Sequence, residues 1–306
     1  MTMQKIAIVG ASGSIGSAIL RALIAQRFDV TAISRTYSTA QFPEGVKVVR
    51  GDYDDTDFLR DSLAAIDALV LCVGTLIPST QIPFIDAAIQ AGVKWIFPSE
   101  FGTDSGNPEY SAHVPIIPPK IAIQEYLKEK VVGTGGAFAW SAIVNGLILD
   151  WSIPRGVLGV NIAEKKATLL DGGEVKVNIT TLALIGNAVA KLLALPEEQR
   201  KGFANRLVYI SSFRVSQVDL LKSVQAVTGT TDSNWEIVHE STEDKLRRGK
   251  ELFAKGEVEG VVYLIYGHVF QKHAGGDYEA RVTLDNRAIG LSEEDLDTAI
   301  AEFKDL

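Results

Sequence analysis

Gly10-Ala11-Ser12-Gly13-Ser14-Ile15-Gly16 places glycine at every third position near the start of the chain. The apolar run Ile6-Ala7-Ile8-Val9 precedes this segment, and Ile15, Ala18, Ile19, Ala22 and Leu23 recur after it at helical spacing. A glycine-rich turn between a strand and a helix does the chemistry of phosphate binding. Gly10 permits the tight turn, Gly13 lets backbone N–H groups approach a pyrophosphate, Gly16 allows close helix–strand packing, and the helix N-terminus favours the anion. The cofactor-binding residues expected here are Gly10, Ser12, Gly13, Ser14, Ile15 and Gly16. At the end of the second expected strand, an NAD site would place Asp or Glu on the ribose 2′-hydroxyl, but the residues are Ser34 and Arg35. The planar, permanently charged fork of arginine suits a 2′-phosphate, so the expected cofactor is NADP(H).

A strand–helix alternation must position this loop. Strands are expected near Val30–Ser34, Val46–Arg50, Ala68–Cys72, Trp95–Pro98 and Phe138–Val144, with helices near 56–65, 79–91 and 119–131. Right-handed βαβ units at this period imply an α/β fold, a Rossmann-type doubly wound parallel sheet. The rhythm changes after about residue 150. Asp171-Gly172-Gly173 reads as a hairpin turn between Thr168-Leu169-Leu170 and Val175–Ile179, and an apolar helix follows near 182–194, closed by Pro196. Ser292 with Asp295 resembles a capping box for a last helix running to about Phe303. The expected division is a cofactor domain over residues 1–152 and a smaller substrate-binding lobe over 153–306, some of whose elements return to the sheet.

Composition narrows the function. The 306 residues carry a net charge of −8, which disfavours attraction to a phosphate backbone, so no nucleic-acid partner is expected. The basic cluster Lys245, Arg247, Arg248 and Lys250 sits among Glu243, Asp244 and Glu251 and reads as a solvated helix face. No apolar stretch is long enough to span a membrane, and the run before Gly10 is too short for a secretory segment. With Cys72 as the one cysteine, the expectation is a soluble, cytoplasmic protein, monomer or homodimer. The histidines His113, His239, His268 and His273 show no zinc-ligand spacing, and no metal is expected.

Phe97-Pro98-Ser99-Glu100-Phe101-Gly102 follows the fifth strand. It resembles the signature of isoflavone-reductase-like proteins of the NmrA-like family, and it sits at the carboxyl end of a parallel strand, where open α/β sheets bind ligands. The resemblance extends over the glycine loop, Arg35, Gly51-Asp52, Val73-Gly74, Leu207-Val208-Tyr209 and the segment from Ser216 to Leu221. It implies that Asp52 faces the adenine, that Val73, Gly74 and Thr75 line the path to the nicotinamide ribose, and that Pro98, Ser99 and Phe101 border the nicotinamide. It also implies a catalytic lysine at the start of the next helix, a place that Lys120 in Pro118-Pro119-Lys120 fits.

Hydride reduction needs a proton donor or base beside the reacting carbon, and a desolvated lysine can serve. Lys120 is therefore the leading catalytic candidate and is also expected to contact the cofactor, with Glu100 orienting it or binding a cationic substrate. The resemblance places the Asn145-to-Trp151 segment beside the substrate, where Leu147 and Trp151 either pack an aromatic ligand or form core between the lobes. His268 is either a pocket residue or a hydrogen-bonded structural histidine. Gly133 to Gly136 reads as a turn and departs from the plant reductases, so a phenylpropanoid substrate is not carried over. Tyr126 and Lys130 match the Tyr-x-x-x-Lys pair of ordinary short-chain dehydrogenases but lie too far down the helix from the strand ends. The expected function is NADPH-dependent reduction of a small aromatic or heterocyclic metabolite. Non-redox acid/base catalysis on an iminium and a non-enzymatic NADP(H) sensor stand as alternatives.

Overall fold

A computed structural model describes residues 3–74 and 78–306. Its first half runs β1 (Lys5–Val9), α1 (Ser14–Ala25), β2 (Asp29–Arg35), β3 (Lys47–Gly51), α2 (Thr56–Ser62), β4 (Ala68–Leu71), α3 (Ile82–Gln90), β5 (Trp95–Phe97), α4 (Pro108–His113), α5 (Ile117–Gly133) and β6 (Ala139–Val144). The second half contributes β7 (Leu147–Ile148), α6 (Leu149–Ser152), β8 (Val160–Asn161), β9 (Lys166–Leu170), β10 (Val177–Thr180), α7 (Leu182–Ala194), β11 (Arg206–Tyr209), β12 (Phe213–Val215) and β13 (Glu236–Glu240). Seven strands pair in parallel in the order β11-β6-β5-β4-β1-β2-β3, the doubly wound Rossmann arrangement.

The sequence of β1 explains its central place. Successive side chains of a strand point to opposite faces, and here both faces are buried. Ile6 and Ile8 join one core with Ile19 and Leu23 of α1 and Ile185 and Val189 of α7. Ala7 and Val9 join the other with Leu59, Phe84, Ile123 and Leu127 from α2, α3 and α5. Each fully buried Ile or Leu contributes about 1.5–3 kcal/mol, so a charge at any of these positions would disrupt the sheet from either side. Helix α7 approaches α1 closely because Gly186 has no side chain: a Cβ there would lie 2.5 Å from the Ala18 carbonyl oxygen. A third core gathers Tyr110, Leu147, Leu170, Ile179, Phe213 and Trp235. The chain passes between the cores more than once: α4 and β7 enter the third core, while α7 packs on the large sheet and β11 pairs within it.

Three local expectations are corrected. Asp171, Gly172 and Gly173 do turn the chain, all with positive φ, but β9 and β10 do not form a hairpin. β9 pairs with β8 and β13, whereas β10 pairs with β7 and β12. The physical reason is tertiary: the Asp171 carboxylate accepts from the backbone N and Oγ1 of Thr242 at 3.1 and 2.6 Å, swinging the turn toward the helix Thr242–Ala254. At the C-terminus Asp295, not Ser292, caps the last helix, Leu296–Ala301, by accepting from Thr298 N at 2.8 Å. Helix α5 starts at Ile117, two residues earlier than its proline signal suggests, with Pro118 and Pro119 inside its first turn.

Candidate functional site

The glycine loop sits at the carboxyl end of β1, and its three glycines answer to different demands. A Cβ on Gly10, where φ is +77°, would lie 2.0 Å from the Cys72 carbonyl oxygen, and one on Gly16 would lie 2.1 Å from the Gly10 carbonyl oxygen. Packing alone therefore requires both. Gly13 is different, because a Cβ there would meet nothing nearer than 3.4 Å and its φ is −75°. Gly13 is also the N-cap of α1, and no side chain caps that helix. Ser12, Gly13 and Ser14 are exposed, Ile15 is half-buried, and the uncapped first turn is open to an anion. These residues fit a dinucleotide pyrophosphate, since the fold itself gives no reason for a glycine at position 13.

At the ends of β2 and β3, Ser34 is buried and Arg35 is exposed, its guanidinium 5.8 Å from the centroid of the Tyr53 ring. Tyr53 donates its hydroxyl to the Ile33 carbonyl at 3.1 Å, so the ring is a fixed platform under the arginine. Asp52 is exposed, and Asp55 rather than Asp54 or Asp57 caps α2. Beyond β4, Val73 is half-buried and Gly74 exposed, while Thr75 lies outside the described residues. Ser99 joins this segment to the signature loop, donating Oγ to the Val73 carbonyl at 3.0 Å and its backbone N–H to Gln81 Oε1 at 2.7 Å.

The signature loop folds over the start of α5. Pro98 is buried, and Phe101 is buried with a φ of +23°, a conformation disfavoured for a side chain of its size. Gly102 bridges to Val144, and its carbonyl accepts from the backbone N–H groups of Asn145 and Gly146 at 3.0 Å each. Lys120 is only 5% exposed and donates Nζ to the main-chain carbonyl of Glu100. Burial pushes its pKa below the ordinary 10.5, and the nearby Glu100 charge only partly opposes the shift. Glu100 is 2% exposed; its Oε2 accepts from Gln124 Nε2 at 3.0 Å, and its Oε1 has no partner among the described residues. Gln124 also donates to Ser105 Oγ at 2.8 Å, tying the loop and the segment just after it to one helix face.

The structure brings Asn145 beside this centre. Its backbone holds Gly102, and a Cβ on Gly102 would lie 3.3 Å from Lys120 Nζ. Asn145 is fully buried, with Oδ1 free of partners among the described residues. Leu147 lines a narrow cleft with Thr103, Tyr110, Val269 and Tyr278. Trp151 is half-buried under the Arg155 guanidinium, 4.5 Å from its ring. His268 lies in the helix Val258–Val269, stacks on His113 at 5.2 Å and bonds Gln271 Oε1 through Nδ1 at 3.1 Å. No hydrogen bond or ring contact links Trp151 or His268 to Lys120 among the described residues.

Tyr126 and Lys130 are engaged elsewhere. The Tyr126 hydroxyl donates to the Asp86 carboxylate at 2.7 and 2.8 Å, and Lys130 pairs with the same carboxylate at 2.8 Å, joining α5 to α3. Tyr126→Phe should therefore leave turnover within about twofold of wild type; a tenfold loss of kcat in a steady-state assay would return this pair to the chemistry.

Sequence reasoning missed the supports. Gln124 lies one helical turn after Lys120, a spacing that could have flagged it. Asp104 was not legible: its buried carboxylate accepts from Tyr209 Oη at 3.0 Å and pairs with Arg281, joining the signature loop to distant parts of the chain. Burial pushes the Asp104 carboxyl up against the pull of Arg281. Among the described residues, no group of three or more His, Cys, Asp or Glu is placed to hold a metal ion, and no helix is long and apolar enough to cross a membrane.

Residues 2–150 match the model of the NmrA-like family. The chain is 32% identical to the oxidoreductase aprR of Aspergillus flavus over 98% of both chains. It is 31% identical to the oxidoreductase poxI of Penicillium oxalicum, over 99% of this chain and 94% of that one. Among solved structures it superposes on isoflavone reductase with a TM-score of 0.75 at 22% identity, covering 99% of this chain and 100% of that one. On the leucoanthocyanidin reductase–NADPH complex of Vitis vinifera the TM-score is 0.79 at 17% identity, with the same coverage. The glycine loop, the signature loop and the full-length likeness to these oxidoreductases agree: the chain belongs to the NmrA-like family and is an oxidoreductase.

Proposed function

We propose that the protein is an NADPH-dependent reductase of a small aromatic or heterocyclic secondary metabolite, with Lys120 as its proton-transfer residue. The observation that carries this reading is a lysine 5% exposed, held by the signature loop's own carbonyl at the strand ends. A buried, charge-bearing lysine is costly to keep in a fold, and such groups concentrate where chemistry is done. Solved relatives in complex with NADPH, and one with NADP+ and (+)pinoresinol, support the cofactor and the kind of ligand.

The residues have separable tasks. Gly10, Ser12, Gly13, Ser14, Ile15 and Gly16 hold the pyrophosphate, Arg35 the 2′-phosphate, and Asp52 the adenine side. Val73, Gly74, Pro98, Ser99 and Phe101 border the nicotinamide end. NADPH, when bound, supplies a hydride from its nicotinamide C4. Lys120 Nζ delivers the proton that the reduced substrate requires, and its lowered pKa makes that release easier. The Glu100 carbonyl aims the ammonium, while Gln124 keeps the Glu100 carboxylate in place. Residues 1–152 carry the cofactor; the lobe built mainly from 153–306 receives the substrate, with Asn145, Leu147, Trp151 and His268 on the substrate side.

The cofactor assignment is tested by calorimetric titration with NADPH and NADH. Arg35→Gln removes a charge-assisted contact worth about 1.5–3 kcal/mol, so NADPH should bind roughly ten- to a hundredfold more weakly while NADH is little changed. Equal affinity of the wild type for the two cofactors would overturn it.

A further inference from the structure

Arg50 has a geometry that the sheet does not require. It lies on β3 opposite Ser34, one position before the Arg35–Gly51 pair. Its Nε donates to the Ser38 carbonyl at 3.1 Å and its Nη2 to the Ala40 carbonyl at 3.0 Å. Two backbone bonds complete the corner: Thr36 N donates to the Gly51 carbonyl and Ser38 N to the Arg35 carbonyl, each at 3.0 Å. The segment that leaves Arg35 is thus folded back over the end of β3 and closed by one guanidinium. Residues 36–46 contain no Lys, Arg or His, so Arg50 is the cation on the adjoining strand that stands nearest in register to Arg35.

A planar fork can span two carbonyls in a fixed geometry, whereas an ammonium is a point charge. In this exposed corner solvent screens a charge acting alone, so geometry matters more than the added field. The Arg35 guanidinium stands 5.8 Å from the centroid of the Tyr53 ring, and the Arg35 carbonyl accepts from Ser38 N, so its backbone is part of the turn that Arg50 braces.

We propose that Arg50 is a specificity-determining positioning residue: by bracing residues 36–40 it presents Arg35 to the 2′-phosphate and so sets the preference for NADP(H) over NAD(H). This rests on the cofactor assignment made above. A brace that merely stabilised the fold would weaken both cofactors alike. One that aims Arg35 acts on the phosphorylated one alone.

The test is calorimetric titration of the full chain with NADP+ and NAD+, for wild type, Arg35→Gln, Arg50→Gln and Arg50→Lys. Arg50→Gln is expected to lower the NADP+ to NAD+ affinity ratio about tenfold and to leave the NAD+ dissociation constant within about twofold, which also reports an intact fold. Arg50→Lys keeps the charge but not the fork, and its ratio should stay at least about fivefold below wild type. Full rescue by lysine would overturn the bracing role in favour of simple charge. Equal loss of both cofactors would make Arg50 a structural residue and overturn the specificity role. An unchanged ratio in both Arg50 variants, with Arg35→Gln still losing NADP+, would sink this inference alone, whereas no preference in the wild type would sink the cofactor assignment beneath it.

Discussion

Replacing Lys120 with alanine is expected to lower kcat by about two to four orders of magnitude, the usual contribution of a positioned general acid, while NADPH affinity stays within about threefold. The ammonium is 5% exposed and its pKa is pushed down by burial, so it gives up a proton more readily than a surface lysine. Arginine at this position should not restore the rate, because its guanidinium keeps its proton. If Lys120 acts as the acid, the wild-type rate falls as pH rises through a limb lying below the ordinary 10.5, and the alanine variant lacks that limb. Stability gives a second reading that needs no substrate. The folded-state pKa is lowered, so between it and 10.5 the unfolded chain binds a proton that the folded chain does not, and wild type gains stability as pH rises through that window. Urea unfolding at a series of pH values should show this rise in wild type and not in Lys120→Ala. A variant with unaltered kcat would remove Lys120 from the chemistry.

The second large effect separates two glycines only three residues apart. Gly16→Ala would place a methyl 2.1 Å from the Gly10 carbonyl oxygen and 3.0 Å from Ala11 Cα, both backbone atoms. The loop would have to shift, and a loss of about 2–4 kcal/mol of stability is expected. Gly13→Ala meets only ordinary contact at 3.4 Å with φ at −75°, so its stability should change by no more than about 1 kcal/mol. Its NADPH affinity should nevertheless fall at least about tenfold, because the methyl fills the space a pyrophosphate would approach. Thermal unfolding paired with NADPH titration checks both. Two variants with the same ratio of stability loss to binding loss would contradict the division of roles.

Much of the sheet was legible because its signals are local. Ile6 to Val9 form an apolar run of strand length, Gly10 to Gly16 carry their spacing in the sequence, and α7 emerges with the bounds its apolar periodicity implies. Legibility failed where a local signal has more than one tertiary outcome. Asp171-Gly172-Gly173 encodes a turn, but which sheet receives each flanking strand depends on Thr242, far along the chain. Ser292 has the spacing of a cap, yet Asp295 lies nearer the helix and accepts the Thr298 N–H instead. The centre divides in the same way. Lys120 and Glu100 could be named because the signature and the helix start mark them, whereas Gln124, Arg50 and the Asp104–Arg281 pair act through contacts that only the folded chain creates.

The central claim is hydride transfer assisted by Lys120, and deuterium transfer tests it most directly. Wild type and Lys120→Ala would be incubated with NADPH dideuterated at nicotinamide C4 and a metabolite extract of the encoding organism, and products read by mass spectrometry. The account predicts a product carrying one deuterium that forms with wild type and is lost with the variant. An enzyme-dependent product without deuterium would contradict it and point to non-redox acid/base chemistry at the same site.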